Sequence, residues 1–257
     1  NIMMNVGVIG CGNIAETYFR AQDYFNNINF IACSDINLEA AKKASIEHNV
    51  EALTIDEMLN SKNIDLILNL TIPQAHYEVS KKCLLSGKNV YSEKPMSVKF
   101  DQAKELVNLA KEKNLYIGNA PDTFLGGGGQ LSREIIDKGD IGKVLTGNFI
   151  FAFPGVQEFH PSPESWYQEG GGPVIDMGPY FFTTLVNLLG PAKNIRGRGV
   201  KFSDKREYKA GPNKGKFFDV EIPTSYMFNL EFVNETIIQG FISFDVQNHG
   251  RNHMELY

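Results

Sequence analysis

The chain is short of the features that mark secreted, membrane-embedded or nucleic-acid-binding proteins. Three cysteines, Cys11, Cys33 and Cys83, occur in 257 residues. Their spacing fits neither a disulfide framework nor a zinc site, so they are expected to be reduced structural thiols. No apolar run approaches the roughly 20 residues that a bilayer-spanning helix needs. The first residues lead into a strand-like stretch without a basic region or cleavage site, so a cytoplasmic protein with no membrane partner is expected. Positive charge is not in excess, since 25 Lys and Arg stand against 30 Asp and Glu for a formal charge of −5. Without a basic field to neutralise phosphates, a nucleic-acid partner is not expected, and a small-molecule one is. His249 and His253 have no third ligand near them in sequence, so no metal is expected.

An apolar content of 42% in a chain of this length is enough to build cores for two domains. Across residues 5–120, the β-rich runs NVGVIG, NFIACS, IDLILNL, KNVYSE and LYIGNA alternate with stretches of helical spacing. That alternation predicts an α/β domain with a doubly wound parallel sheet. Thr54 and Glu57 have the spacing of a capping box, and Gly87 ends a helical run from Gln74 to Ser86. After residue 120 the texture becomes α+β. A glycine-rich bend (LGGGGQ) is followed by a short helix ending at Gly139, strand-like runs, and a helix over roughly 174–189. Tyr226, Phe228, Leu230 and Phe232 alternate with polar residues, predicting one arm of an antiparallel hairpin that turns at Asn234-Glu235. The stretch KREYKAGPNKGK is expected to be a solvated loop. The division is therefore residues 1–120, a dinucleotide-binding domain, and residues 121–257, a domain with a large, mainly antiparallel open sheet.

The first domain carries the clearest chemistry. VGVIGCGNIAETYF sets Gly10-x-Gly12-x-x-Ala15 between an apolar strand and an amphipathic helix, the fingerprint of a Rossmann dinucleotide site. Gly10 permits the tight turn, Gly12 admits a pyrophosphate to the backbone, and Ala15 allows close helix–strand packing. Asn13 and Ile14 lie where the loop enters the helix, whose N–H groups face the phosphates. Asp35 closes the second strand-like run, where a carboxylate can accept hydrogen bonds from a ribose diol and repel a 2′-phosphate. NAD is therefore expected rather than NADP. The alternative for Asp35 is a helix N-cap, a role that Asn37 can also fill.

Several further segments carry a resemblance to a known family: TIPQAHYEVSKKCLLSGKNVYSEKP, the IGKV step at 141–144 and GGGPVIDMGPY at 170–180. With GVIGCGNIA before them, they make the chain similar to the glucose-fructose oxidoreductase and inositol dehydrogenase family. The resemblance implies an oxidoreductase that moves a hydride to or from a secondary hydroxyl or carbonyl carbon of a sugar or cyclitol. It implies that Thr71, Pro73, His76, Glu93 and Lys94 border the cofactor, with Lys94 polarising the substrate oxygen. For His76 a helix N-terminal position without chemistry is an open alternative. Asp176 matches the aspartate of the family's D-x-G-x-H motif, and Tyr180 stands where many members have histidine, as it does in some other members. An ordinary phenol keeps its proton until about pH 10, whereas imidazole loses it at about 6.5. Tyr180 is thus better suited to donate a proton to a carbonyl than to act as a base at neutral pH. Pro179, without an N–H, is expected in the first turn of its helix, with Asp176 at or just before that turn.

The segments APDTFLGGGG and FHPSPESWY lie where the resemblance implies substrate contacts. Asn119, Asp122, Thr123 and His160 can hydrogen-bond hydroxyl groups, and Trp166 or Tyr167 can offer an apolar face to sugar C–H groups. The resemblance also implies a homodimer or homotetramer through the second domain's sheet, and a chain shorter than is usual in the family. Two other functions remain open at this point, an NAD-dependent glycosidase of the same family and a non-catalytic dinucleotide sensor.

Overall fold

In the computed structural model, which describes residues 3–257, the alternation of the N-terminal half becomes a six-stranded parallel sheet. The strands are β1 (Met4–Ile9), β2 (Ile28–Ser34), β3 (Glu51–Ala52), β4 (Leu66–Asn69), β5 (Asn89–Ser92) and β6 (Ile117–Asn119). Between them run α1 (Ala15–Phe19), α2 (Leu38–His48), α3 (Ile55–Asn60), α4 (His76–Leu85) and α5 (Phe100–Glu112). The strand order β3-β2-β1-β4-β5-β6 reverses direction between β1 and β4, and in such sheets ligands bind at the carboxyl ends beside that reversal. Both faces of the sheet are covered. Ile9, Ile67 and Val90 pack with Met58, Leu84 and Leu106 on one side, and Val6, Val8 and Leu68 pack with Ala15, Phe19 and Phe30 on the other. This two-sided burial explains why the strands are continuous apolar runs. Strand β3 carries no such run and is exposed, so its sequence does not announce it. The Thr54–Glu57 capping box forms, and Gly87 adopts φ 81° just past α4.

The chain divides after Ala120, and the second unit runs from Pro121 to Tyr257. It contains α6 (Gly127–Lys138), β7 (Thr146–Ala152), α7 (Pro173–Leu189), β8 (Ala192–Val200), β9 (Lys205–Glu207), β10 (Phe217–Asp219), β11 (Ser225–Phe232), β12 (Ile237–Ser243) and β13 (Met254–Leu256). Its main sheet has the order β13-β7-β12-β11-β8, with β7 and β12 parallel and the other pairs antiparallel. The predicted hairpin is β11–β12, and it turns through Glu235 at φ 73°. Phe228, Leu230 and Phe232 point from β11 into a core with Phe149, Leu185 and Leu188. Phe149 stacks on Phe181 with ring centres 5.1 Å apart.

Three expectations for this unit are corrected. Gly127, Gly128 and Gly129 are not a bend but the first turn of α6, held by the helix's packing despite glycine's weak propensity. Pro179 lies inside α7, beyond its first turn, because Pro173 already takes the first helical position after Gly172 at φ 92°. Proline is favoured at that first position, and the carbonyl of Ile175 goes without its usual helical donor. The stretch from Lys205 is not a solvated loop throughout. Strands β9 and β10 form an antiparallel ribbon, Tyr208 and Phe218 are buried in a cluster with Tyr167 and Phe244, and Arg206 pairs with Asp245. Aromatic residues interleaved among lysines supply the apolar face that the charge obscured.

Candidate functional site

Five strand ends of the first unit converge on the candidate site. Gly10 leaves β1 at φ 102°, and a Cβ there would lie 2.6 Å from the carbonyl atoms of Leu70 and 2.8 Å from Thr71 N. Only glycine fits, because the next strand's backbone occupies that space. Gly12 is exposed, and a Cβ on it would meet nothing within 4 Å. Asn13 and Ile14 are also exposed at the entry to α1, where no side chain caps the helix, while Ala15 is buried against the sheet. Asp35 ties this loop to the end of β2. Its Oδ2 accepts from Cys11 N at 2.7 Å and its Oδ1 from Asn37 N at 2.7 Å. Asn37, not Asp35, caps α2, accepting from Glu39 N. Each carboxylate oxygen of Asp35 can accept a further hydrogen bond. An open glycine loop beside a carboxylate with spare acceptor capacity fits the pyrophosphate and ribose of a dinucleotide.

The ends of β4, β5 and β6 are braced by side chains. Asn69 is buried and donates to His76 O at 3.1 Å and Ser80 Oγ at 2.9 Å, while its Oδ1 accepts from Thr71 N and Thr71 Oγ1. Thr71 and Pro73 are half-buried on the loop so formed. His76 faces Pro95 O at 2.6 Å through Nδ1 and Thr71 O at 2.8 Å through Nε2. Buried, with a backbone carbonyl at each ring nitrogen, His76 braces two loops from behind. This bracing is a structural task added to the expected place beside the cofactor. Glu93 accepts from Tyr18 Oη at 2.8 Å and from Lys94 N at 2.9 Å. Asn119 donates from Nδ2 to both Ser92 O and Glu93 O at 2.9 Å. Its amide N–H groups therefore hold the β5 end, a structural task added to the expected one. Lys94 follows at the carboxyl end of β5, half-buried, and its bond to Pro95 is cis.

In the second unit, Asp176 lies in the first turn of α7 and Tyr180 one turn on, both half-buried. Spacing by four residues puts them on one helix face. The glycines before them allow a tight entry: Gly172 N donates to Trp166 O at 2.8 Å, and a Cβ on Gly171 would lie 2.3 Å from Ser165 O. Trp166 is half-buried with its ring 4.7 Å from His160, whose Nδ1 accepts from Ser162 N. Asp122 and Thr123 are exposed at a short turn. Tyr167 is corrected from a substrate contact to a core residue. It is fully buried, its hydroxyl donates to Gln157, and its ring packs against Phe218 and Phe244. Burial pushes the Tyr167 phenol up to about 12. Among the described residues no group of three or more His, Cys, Asp or Glu is placed to hold a metal, and no helix is long and apolar enough to cross a membrane.

Sequence reasoning passed over Asn69, Tyr18 and the surroundings of Cys11 and Cys33. A polar residue ending the apolar run LILN was the one available sign of Asn69. Tyr18 lies 75 residues from Glu93, and nothing local pairs them. Cys11 and Cys33 share no recognisable spacing, and in the fold each thiol faces a backbone carbonyl, Cys11 Sγ 3.6 Å from Ser34 O and Cys33 Sγ 3.4 Å from Ala41 O.

Fold and strand-end geometry together define a dinucleotide-binding oxidoreductase domain joined to a second α/β unit. The family description "Oxidoreductase family, NAD-binding Rossmann fold" matches residues 4–120, and the C-terminal domain of the same family matches residues 130–257. The chain belongs to the Gfo/Idh/MocA oxidoreductase family, and its first unit is that family's NAD-binding domain. It is 31% identical over 156 residues to an uncharacterised oxidoreductase of Schizosaccharomyces pombe, covering 58% of this chain and 41% of that one. It is 25% identical over 182 residues to D-xylose dehydrogenase of Paenarthrobacter nicotinovorans, covering 66% of this chain and 47% of that protein. The chain spans about half the length of the curated relatives it matches. A solved levoglucosan dehydrogenase, in complex with NADH and L-sorbose, shares the fold with a TM-score of 0.86 at 20% identity, covering 99% of this chain and 71% of that one.

Proposed function

We propose that the protein is an NAD-dependent dehydrogenase or reductase acting on a secondary hydroxyl or carbonyl carbon of a sugar or cyclitol. The observation that carries this reading is the pairing of Asp35 with the glycine loop, since Asp35 holds Cys11 N and keeps acceptor capacity for a ribose diol. A carboxylate there favours NAD over a cofactor with a 2′-phosphate. When bound, the nicotinamide supplies or accepts the hydride. Gly10, Gly12, Asn13, Ile14 and Ala15 form the cradle, and Thr71, Pro73 and Glu93 lie along the neighbouring strand ends. Lys94 polarises the substrate oxygen, Asp176 positions Tyr180, and Tyr180 donates the proton in the reducing direction. Asn119, Asp122, Thr123, His160 and Trp166 supply hydroxyl partners and an apolar face. The sugar chemistry is in keeping with the dehydrogenases among the relatives.

The test is absorbance at the reduced-nicotinamide band with NAD or NADP and a panel of sugars and cyclitols. The expected result is reduction of NAD by at least one sugar. The rate should rise from about pH 6 to pH 10 and be strongly depressed in Tyr180→Phe. Consumption of a glycoside without net NADH would replace this reading by a glycosidase, and binding without turnover of any substrate by a sensor.

We further propose that copies pair through the face of the main sheet opposite α7. There Asn229, Gln239 and Asn148 stand in register on β11, β12 and β7, beside exposed Met227 and Ile237.

A further inference from the structure

The surroundings of Asn69 fix where the Thr71 hydroxyl sends its hydrogen. Asn69 ends β4 and is fully buried. Its amide meets a carbonyl oxygen, His76 O, at 3.1 Å on one side and the N–H of Thr71 at 3.2 Å on the other. A carbonyl needs a donor and an N–H needs an acceptor, so Nδ2 faces His76 and Oδ1 faces Thr71. The same Oδ1 lies 2.7 Å from Thr71 Oγ1. An amide oxygen carries no hydrogen, so the hydrogen in that bond is the threonine's, and Oγ1 keeps only lone pairs for a further partner. Thr71 N is taken by the same oxygen, and Thr71 O faces His76 Nε2 at 2.8 Å. Thr71 therefore offers a ligand an acceptor and no donor.

Thr71 stands beside the cradle. It is half-buried, and its backbone N would lie 2.8 Å from a Cβ on Gly10. The strand order sets β2, with Asp35 following its end, on one side of β1 and β4 on the other. His76 links Thr71 O to Pro95 O, and Pro95 directly follows Lys94. Thr71 thus shares the Lys94 side of the glycine loop, across from the carboxylate read as the partner of the adenosine ribose. We propose that Asn69 is a positioning residue that makes Thr71 Oγ1 an acceptor for an N–H or O–H of the dinucleotide's nicotinamide half, from its carboxamide or its ribose, and turns it away from the phosphates. A phosphate oxygen brings no hydrogen, and against Oγ1 it would set lone pair to lone pair. The ligand rests on the NAD reading above, whereas the direction of the Thr71 hydrogen bond does not.

Thr71→Val keeps the threonine shape and removes only the hydroxyl. Titration calorimetry then reads what that hydroxyl meets, with NADH, its reduced acetylpyridine analogue (methyl in place of the carboxamide N–H₂), ADP-ribose and ADP as probes. NADH affinity should fall by about fivefold to tenfold in Thr71→Val and hold within about twofold in Thr71→Ser. Loss for NADH alone identifies the carboxamide N–H as the donor. Loss that extends to the analogue and ADP-ribose, but not to ADP, identifies the nicotinamide ribose. Loss for NADH and the analogue alone means that Thr71 donates to a carbonyl, and loss that extends to ADP means that it meets a phosphate or the adenosine. Either overturns the proposal. Asn69→Ala should weaken NADH binding with Thr71 in place and add little to Thr71→Val, because the two changes remove one interaction. A merely structural Asn69 would give an equal loss in both backgrounds, which overturns the positioning role. Asn69→Asp keeps an acceptor toward Thr71 and should bind NADH within about threefold of the parent. A loss as large as that of Thr71→Val overturns the same role. The probe series uses only the Thr71 variants, so it decides the polarity even where Asn69→Ala does not fold. If the parent binds none of the probes, the NAD reading fails and this inference with it. Equal NADH binding by the parent and Thr71→Val overturns this inference alone.

Discussion

A single methyl placed on each glycine of the cradle separates its structural task from its binding task. At Gly12 a Cβ meets nothing within 4 Å and the backbone lies outside the positive-φ range. Gly12→Ala should therefore fold as the parent does, or gain about 0.4–1 kcal/mol from a stiffer unfolded chain. If the pyrophosphate approaches that backbone, the same methyl intrudes on it, and NADH affinity should fall by about tenfold or more, roughly 1.4 kcal/mol. At Gly10 the outcome reverses in kind. The residue holds φ 102°, and the new Cβ would stand 2.6 Å from Leu70 backbone atoms. Strain of about 1–3 kcal/mol adds to an overpacking cost of about 1–3 kcal/mol, because a strand exit cannot yield as a flexible side chain can. At about 2–4 °C per kcal/mol for a chain of this size, Gly10→Ala should melt roughly 10 °C lower. Thermal unfolding by circular dichroism and NADH titration, run on both variants, read the two effects apart. Parental NADH affinity in Gly12→Ala would refute the cradle, and parental melting in Gly10→Ala would refute the close approach of Leu70.

Tyr167 gives a pH-dependent test of the second unit. Its phenol titrates at about 12 in the fold against an ordinary 10, so its contribution is complete below pH 10 and is lost as pH rises toward 12, by about 3 kcal/mol in total. Tyr167→Phe, which loses the hydroxyl's bond to Gln157, should be less stable at pH 7 by about 1 kcal/mol. It should also show a shallower decline in chemical-denaturation stability from pH 10 to 12, and an equal decline in the two proteins would refute the assignment. For self-association, light scattering should give a dimer or tetramer that Ile237→Lys reduces to monomer. A monomeric parent chain would refute the sheet interface.

What was legible in the sequence was whatever depends on residue types at short spacing. The glycine loop, the Thr54–Glu57 box, the stop at Gly87 and the two-residue alternation of β11 each follow from a local rule, and the structure contains each one. Asp35 lay at the right distance, and Asn37's role as N-cap removed its bland alternative. What was not legible depended on distant partners. For His76 the motif names the residue and not its surroundings, and the two carbonyls that face its ring come from Thr71 and Pro95. Tyr167 and Trp166 are neighbours of similar chemistry, and only the tertiary packing of Phe218 and Phe244 around Tyr167 decides that one is core and the other half-exposed. The lysines at 205, 209, 214 and 216 masked a ribbon whose buried side is Tyr208 and Phe218.

Glu93 shows what a motif residue does within the fold in addition to the task its position suggests. One carboxylate oxygen accepts from Tyr18 Oη on α1, directly after the glycine loop, and the other accepts from the backbone N–H of Lys94. A single side chain thus ties the helix that follows the cradle to the peptide that carries the lysine. Of its two partners only the Lys94 N–H must have an acceptor, since the Tyr18 hydroxyl can either donate or accept. A glutamine of the same length could keep both bonds by turning its N–H₂ to the Tyr18 hydroxyl oxygen. Asn119 serves the same peptide in the opposite sense, since its N–H₂ meets two carbonyls and an aspartate would present oxygen to oxygen. The amide at 119 is thus set by the two backbone carbonyls it meets, whereas the contacts at 93 would admit an acid or an amide, so the carboxylate there is left free to be chosen by what the site binds.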